Sequence, residues 1–274
     1  MSHSQLHTKS RRRLLLLEAL AAVVVVAALK VLAHVAGVEA LELNSLFTSL
    51  IAGAIFLFGL ILSGTLSDYK ESDRVPAELV GSLESIREEI MATSAKNPSY
   101  HPAEALGVLS EIARQFRNCA ASGDCTGLYA EISRLTPVFA EMETAGALPQ
   151  YVSRIRSDQA AIRRLALRTS HVQRIDFLPS AYVLLVTTVA LVVTILLFTA
   201  IEPVTLSVVL ISFVTFLFIY MLRMLSRLER PFASQGTSRD DVSLFLVKEF
   251  EERIASEAGS RTRGSRPSPI RQVS

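Results

Sequence analysis

Four long apolar runs divide the chain and predict how it is organised. They cover residues 14–36, 46–66, 181–201 and 204–222. A helix needs about 20 apolar residues to cross the roughly 30 Å of bilayer hydrocarbon, so each run is long enough for one membrane span. Only Glu202 and Pro203 separate the last two runs, which predicts a tight hairpin. The first run follows Arg11, Arg12 and Arg13 but lacks a small-residue cleavage site, so we interpret it as an uncleaved span.

One face of the second run is small and hydroxylated. Its residues recur at spacings of three and four, which places them on one side of a helix. They are Ser45, Ser49, Ala52, Phe56, Gly59, Ser63 and Ser67. Such a stripe can let another helix approach closely, or it can line water, and the spacing alone leaves both open. Phe56 is the bulky exception, because several copies around an axis would form an apolar constriction that gates by dewetting.

The stretch between the second and third runs has helical periodicity and no alternating strand pattern. The second run continues into charged residues from Asp68, and Pro76 fits the first turn of a new helix. Further helices are predicted from Pro102, over about 127–145, and from Tyr151 to about Arg174. The helix from Pro102 is expected to bury one apolar stripe, formed by Leu106, Leu109, Ile112 and Phe116. These segments predict a helical bundle.

The sequence therefore predicts an all-α membrane protein with four spans and a cytoplasmic helical bundle inserted between spans two and three. Its predicted parts are an N-terminus (1–13), a first transmembrane hairpin (14–67), the helical domain (68–179), a second transmembrane hairpin (180–223), and a C-terminal helix with a polar tail (224–274). Loop 37–45 and the turn at Glu202 and Pro203 have no Lys or Arg, whereas basic residues flank the opposite ends of the spans. The positive-inside rule then places both termini and the bundle in the cytoplasm, with the chain in the plasma (inner) membrane.

Composition narrows the function classes. The formal net charge is only +2, which gives no reason to expect nucleic-acid binding. The five His residues are scattered, and phosphate-binding, zinc-protease and serine-hydrolase motifs are missing, so we predict no enzyme activity, no cofactor and no metal site. Cys119 and Cys125 fall in the predicted cytoplasmic part and are expected to be reduced thiols.

Charged residues are distributed unevenly in and near the bundle. Residues 68–149 carry an excess of acids, whereas residues 150–175 carry six Arg against one acid, which favours docking of that helix on the earlier ones. Three of these arginines could instead face an anion route, or form a basic surface facing solvent or lipid headgroups. They are Arg163, Arg164 and Arg168. Lys30 and His34 lie one turn apart in the first span, as interfacial anchors or a small polar site.

Two segments carry a resemblance to a known family. FLFGLILSGTLSDYKE, in the second span, is similar to the pore helix of the bestrophins, in which a Phe-rich segment with Gly leads to a charged stretch. ERPFASQGTSRDD, after the fourth span, resembles the Asn-Pro-Phe-Gly and acidic segment of that family. The order of two spans, a helical insert, two spans and a tail also resembles bestrophin and bestrophin-like pentameric anion channels.

The resemblance implies positions for a pore. Gly59 matches the pore-helix Gly of the family, which places Ala52, Phe56 and Leu60 at a hydrophobic neck. With the hydroxyls on the same face, the candidate pore-lining residues are Ser49, Ala52, Phe56, Gly59, Leu60 and Ser63.

The resemblance also implies roles in the tail. Pro231 and Phe232 match the Pro-Phe of the family. Asp240 and Asp241 are only two acids, whereas Ca²⁺ takes six to eight oxygen ligands, so the calcium clasp of animal bestrophins is not expected.

Two functional hypotheses follow from the sequence. The first is a homo-oligomeric channel in the lipid bilayer, a pentamer by family resemblance, which conducts small anions such as chloride through an axial pore lined by span two. The alternative is a non-conducting membrane scaffold or sensor, whose helical domain binds a partner and whose small stripe packs helices.

Overall fold

The computed structural model describes residues 3–42, 44–174, 179–228, 232 and 242–264. Those residues are almost entirely helical, which confirms the all-α prediction. The elements are α1 (His3–Val35), β1 (Leu41–Glu42), α2 (Ser45–Lys96), α3 (Ala103–Ser122), α4 (Thr126–Thr144), α5 (Pro149–Arg174), α6 (Pro179–Phe198), β2 (Thr199–Ala200), α7 (Val204–Leu228) and α8 (Phe245–Gly264).

Four helices are long and apolar enough to cross a membrane, judged by length and composition. They are α1 over Leu16–Val35, the apolar part of α2, α6 over Ala181–Phe198, and α7. Each coincides with one of the four apolar runs of the sequence. Few of their side chains are buried within the single chain, 17–28% of the most apolar window of each helix, as expected of helices that face lipid or a neighbouring subunit.

The helices form two compact units. The first unit contains α1, α6, α7 and residues 45–70 of α2. Its core is an apolar cluster in which Phe58 of α2 lies against Phe218 of α7, with ring centroids 5.1 Å apart, beside Leu185 of α6. Helix α1 packs along α7.

A very short parallel pair of strands, which the sequence did not predict, also belongs to the first unit. Leu41 of β1 pairs with Thr199 of β2, and Glu42 pairs with Ala200. A strand of two residues has no room for an alternating pattern, so a search for period two cannot find it.

The second unit contains the rest of α2 with α3, α4, α5 and α8. The predicted apolar stripe of α3 is confirmed, because Leu106, Leu109, Ile112 and Phe116 are all buried. Helix α8 packs chiefly against α3 of the same chain. Its buried side chains, which include Val247, Phe250 and Ile254, therefore complete the core of the bundle within this chain.

The prediction of a new helix at Pro76 was wrong, since α2 continues through this residue for 52 residues in all. A proline inside a helix costs about 3 kcal/mol, because it removes one backbone hydrogen bond and crowds the preceding turn. Burial offsets this cost: Val75, Leu79 and Leu83 are buried around it, and each such side chain contributes roughly 1.5–3 kcal/mol.

The expectation of free thiols was also wrong. Cys119 and Cys125 form a disulfide, with their Cα atoms 4.5 Å apart. Between them Gly123 ends α3 in the left-handed conformation at φ 74°, which glycine adopts readily because it lacks a Cβ atom. This turn reverses the chain and brings the start of α4 back to the last turn of α3.

Candidate pore helix

The six candidate pore-lining residues all lie on exposed positions of α2. Phe56 and Leu60 are the bulky ones, with 73% and 62% of their surface exposed. The rest of the set is small and also exposed: Ser49, Ala52, Gly59 and Ser63. One side of the apolar part of α2 is therefore left uncovered by the described parts of the chain.

The opposite side of α2 fixes this orientation. Phe47, Ala54 and Phe58 are buried in the core of the first unit. Leu50, Leu57 and Ile61 are partly buried against the same core. Because these positions also recur at spacings of three and four, packing them inward turns the small stripe outward.

No described residue packs closely against the glycines in the apolar part of α2. A Cβ atom added to Gly53, Gly59 or Gly64 would meet no atom of the described residues within 4 Å, apart from the helix itself. The glycines of a helix-packing stripe would instead sit against a neighbouring backbone. Within the single chain, the packing interpretation of this stripe therefore has no contact to support it.

Local hydrogen bonds define the start of the helix. The side-chain oxygen of Asn44 accepts a hydrogen bond from the backbone N–H of Phe47 at 3.0 Å, as an N-cap residue does. One turn later, the Ser49 hydroxyl donates to the carbonyl oxygen of Ser45 at 2.9 Å. This hydroxyl is satisfied by its own helix, so it needs no polar partner on the exposed face.

The three candidate arginines of α5 do not converge on one point. Arg163 donates to the hydroxyl of Ser133 on α4 at 3.3 Å, whereas Arg168 forms an ion pair with Glu71 on α2. That ion pair lowers the pKa of the Glu71 carboxyl, chiefly through the hydrogen bond from Arg168.

The third arginine, Arg164, lines a groove of about 420 Å³ between α2 and α5. Glu78 and Asp158 line the same groove, so its charge is mixed. An anion route through these arginines stays a prediction, since the three side chains have different neighbours and two acids line the groove beside Arg164.

A polar cluster that the sequence analysis underestimated lies at the end of α1. Lys30 is fully buried, and its ammonium group donates to the carbonyl oxygens of Leu196, Leu197 and Thr199 at 3.3, 3.1 and 2.6 Å. The ammonium group also lies 2.7 Å from a carboxylate oxygen of Glu39. Lys30 is thus not an interfacial anchor that extends to water.

Glu39 joins Lys30 to a third residue. Its second carboxylate oxygen lies 2.9 Å from Nδ1 of His34, which is itself exposed. These two hydrogen bonds, His34 first and then Lys30, hold the pKa of the Glu39 carboxyl below its usual value. Lys30, His34 and Glu39 together form a small polar cluster. The one-turn spacing of Lys30 and His34 indicated a polar site, but nothing in the sequence indicated the carbonyl oxygens that contact Lys30.

The described residues contain no group of three or more His, Cys, Asp or Glu that could hold a metal ion. Of the tail residues that the resemblance singles out, Phe232 is buried. Pro231, Asp240 and Asp241 lie outside the described residues.

Comparison with known proteins identifies the fold. The sequence matches no protein-family model and no curated protein. A bacterial bestrophin homologue from Klebsiella pneumoniae has a crystal structure that superposes with a TM-score of 0.70 at 14% identity, covering 90% of this chain and 98% of that chain. A variant of the same homologue gives a TM-score of 0.72 at 13% identity, over 91% and 99% of the two chains. A crystal structure described as a membrane protein gives 0.75 at 13% identity, over 89% and 98%.

Proposed function

We propose that this chain, which has the fold of bacterial bestrophin homologues over nearly its whole length, is a subunit of a bestrophin-like channel. The exposed face of α2 lines the ion path, and Phe56 forms its main constriction. The observation that carries this proposal is the orientation of α2, whose packed face leaves all six candidate residues uncovered. An apolar ring at Phe56 and Leu60, flanked by serine hydroxyls, has the character of a pore that opens and closes by wetting.

A pore of this kind requires several copies of the chain. One helix cannot enclose an axis, so the exposed face of α2 must be surrounded by the same face of neighbouring subunits. The family resemblance suggests a pentamer. The uncovered glycines on α2 are consistent with this arrangement, because small residues beside the Phe56 constriction leave room for the path to widen.

The proposed topology follows the distribution of basic residues. Both termini and the unit of α3, α4, α5 and α8 lie in the cytoplasm, and loop 37–45 with the turn at Pro203 lies outside. The parts are those predicted above, with transmembrane hairpins at 14–67 and 180–223 and the helical domain at 68–179. We place the protein in the plasma (inner) membrane, surrounded by lipid along the exposed apolar faces of α1, α6 and α7.

The conducted ions are small anions such as chloride. At the neck, Ala52, Phe56 and Leu60 carry no charge, so ions pass a dewetting barrier there and their sign is set elsewhere along the path. Arg163, Arg164 and Arg168 are the candidates for that selection on the cytoplasmic side.

Anion flux from liposomes tests this proposal. We expect the wild type to release chloride and Phe56→Ala to release it about tenfold faster, because a wider and less apolar neck lowers the dewetting barrier. Phe213→Ala is the matched control. It removes a similarly exposed phenylalanine, 63% exposed but on α7, and is expected to leave the flux unchanged.

Two results would overturn the proposal. A monomer or dimer in detergent cannot form the axial pore, and the absence of flux in both wild type and Phe56→Ala would return the chain to the scaffold or sensor class. Equal flux from wild type and Phe56→Ala would keep the channel but move its neck away from Phe56.

A further inference from the structure

The buried ammonium group of Lys30 occupies a cage of four oxygens. Two are the carbonyl oxygens of Leu196 and Leu197 in the last turn of α6, the third is that of Thr199 in β2, and the fourth belongs to Glu39. Carbonyls at the end of a helix have no partner within the helix and carry partial negative charge. Lys30 therefore caps α6 from a different helix, and the cage satisfies a charge that would otherwise be costly to bury in the membrane.

The same cage connects α1 to the start of α2. Glu39 lies two residues before β1, and β1 pairs with β2, which directly follows the capped end of α6. Three residues after β1 begins, Asn44 caps the first turn of α2. In this stretch Glu39 is thus held by Lys30, and Leu41 and Glu42 are paired with β2.

We propose that Lys30 is a positioning residue for the pore helix: through Glu39 and the β1–β2 pair it sets the place at which α2 begins, and hence the depth of Phe56 along the ion path. The inference rests on the proposed function in one respect, that α2 lines the path. The register of β1 against β2 and the cap at Asn44 link the position of the Lys30 ammonium group to the position of the first turn of α2.

A second ion pair in the first unit provides a contrast. Arg223 of α7 lies 3.1 Å from Glu18 of α1, and both side chains are substantially exposed. This pair also joins two helices, yet it touches neither the loop before α2 nor the end of α6. Exposed pairs of this kind contribute little, whereas a buried charge without its partners is strongly unfavourable.

Hydrogen exchange of the full-length protein in detergent tests the inference. Lys30→Met keeps the length of the side chain and removes its charge. We expect backbone amides of residues 38–50 to exchange about tenfold faster in Lys30→Met, with no change in α3 and α8. Arg223→Met is the matched control, which removes a cation of the same unit and is expected to leave exchange at 38–50 as in the wild type.

A milder variant keeps the test decisive if Lys30→Met does not fold. Glu39→Gln leaves the ammonium group on the carbonyl oxygens of Leu196, Leu197 and Thr199, so α6 remains capped while the link toward β1 is weakened. We expect about threefold faster exchange at residues 38–50 in Glu39→Gln and no change along α6. Wild-type exchange at 38–50 in this variant would overturn the positioning role.

The outcome for the proposed function is separate, because hydrogen exchange does not depend on conduction. Faster exchange at 38–50 together with altered chloride flux supports the whole inference. Faster exchange in a protein whose wild type conducts nothing overturns the channel and leaves Lys30 as the residue that positions α2. Unchanged exchange in both variants overturns the inference whatever the flux.

Discussion

Two phenylalanines on α2, Phe56 and Phe58, lie two residues apart and have opposite surroundings. Phe58 is 2% exposed and lies against Phe218, whereas Phe56 is 73% exposed and touches little of its own chain. In a helix that faces lipid, an exposed ring by itself says little. What distinguishes Phe56 is its small neighbours on the same face, Ala52 and Gly59, which a lipid-facing surface does not need. One face of α2 is thus suited to holding the fold together and the other to function.

The largest expected effect tests the packed face. Phe58→Ala leaves a cavity beside Phe218 and should lower the free energy of unfolding by about 3–5 kcal/mol. Phe56→Ala should change it by less than about 1 kcal/mol, since few atoms of the same chain contact that ring. Unfolding of both variants in detergent, followed by circular dichroism, measures the difference; equal losses would mean that the two faces are equivalent.

The next largest effect tests whether the exposed face of α2 contacts water or lipid. Ser63→Cys should react with a water-soluble maleimide about a hundredfold faster than Val209→Cys, because a thiol needs water to ionise and react. Both positions are exposed in the single chain, but Val209 lies on α7. The native cysteines are paired in a disulfide and do not compete. Equally slow labelling at both positions would place the small stripe against lipid or protein.

The smallest expected effect concerns Glu39, in the loop that precedes α2. Because the fold holds the pKa of Glu39 below its usual value, Glu39 stabilises the native state above about pH 4.5, and this contribution is lost as the pH falls through the lowered pKa. Between pH 7 and pH 4, the wild type should therefore lose more stability than Glu39→Gln, by about 1 kcal/mol or less. Thermal unfolding measured at several pH values checks this prediction. An equal fall in Tm for the two proteins between pH 7 and pH 4 would contradict it.

Local patterns predicted much of this molecule. Because a helix repeats every 3.6 residues, the sequence could group the small stripe of α2 on one face and the apolar stripe of α3 on another. The spacing left open which side of α2 is packed, and the burial of Phe47, Ala54 and Phe58 decides it. The continuation of α2 through Pro76 could not be found in this way. It depends on how well the surrounding side chains are buried, which a local rule about proline does not include.

Features that depend on distant residues were missed. The partners of Lys30 on α6 and β2 are backbone carbonyl oxygens, which every residue has. No residue type in the sequence therefore indicates where they lie. The pairing of Cys119 with Cys125 was also missed, because the expected compartment argued for thiols while the turn at Gly123 brings the two residues together. The candidate arginines were correctly placed on one helix, yet their side chains have three different neighbours.

The cage around Lys30 also has a consequence for biosynthesis. The carbonyl oxygens that receive its ammonium group are translated 166 to 169 residues after it. Until α6 has been made, Lys30 has only Glu39 of its four oxygen partners, and hydrocarbon disfavours an ammonium group that is incompletely paired. If α1 spans the membrane as proposed, we expect it to reach its final depth only after the carbonyl oxygens of Leu196, Leu197 and Thr199 are in place.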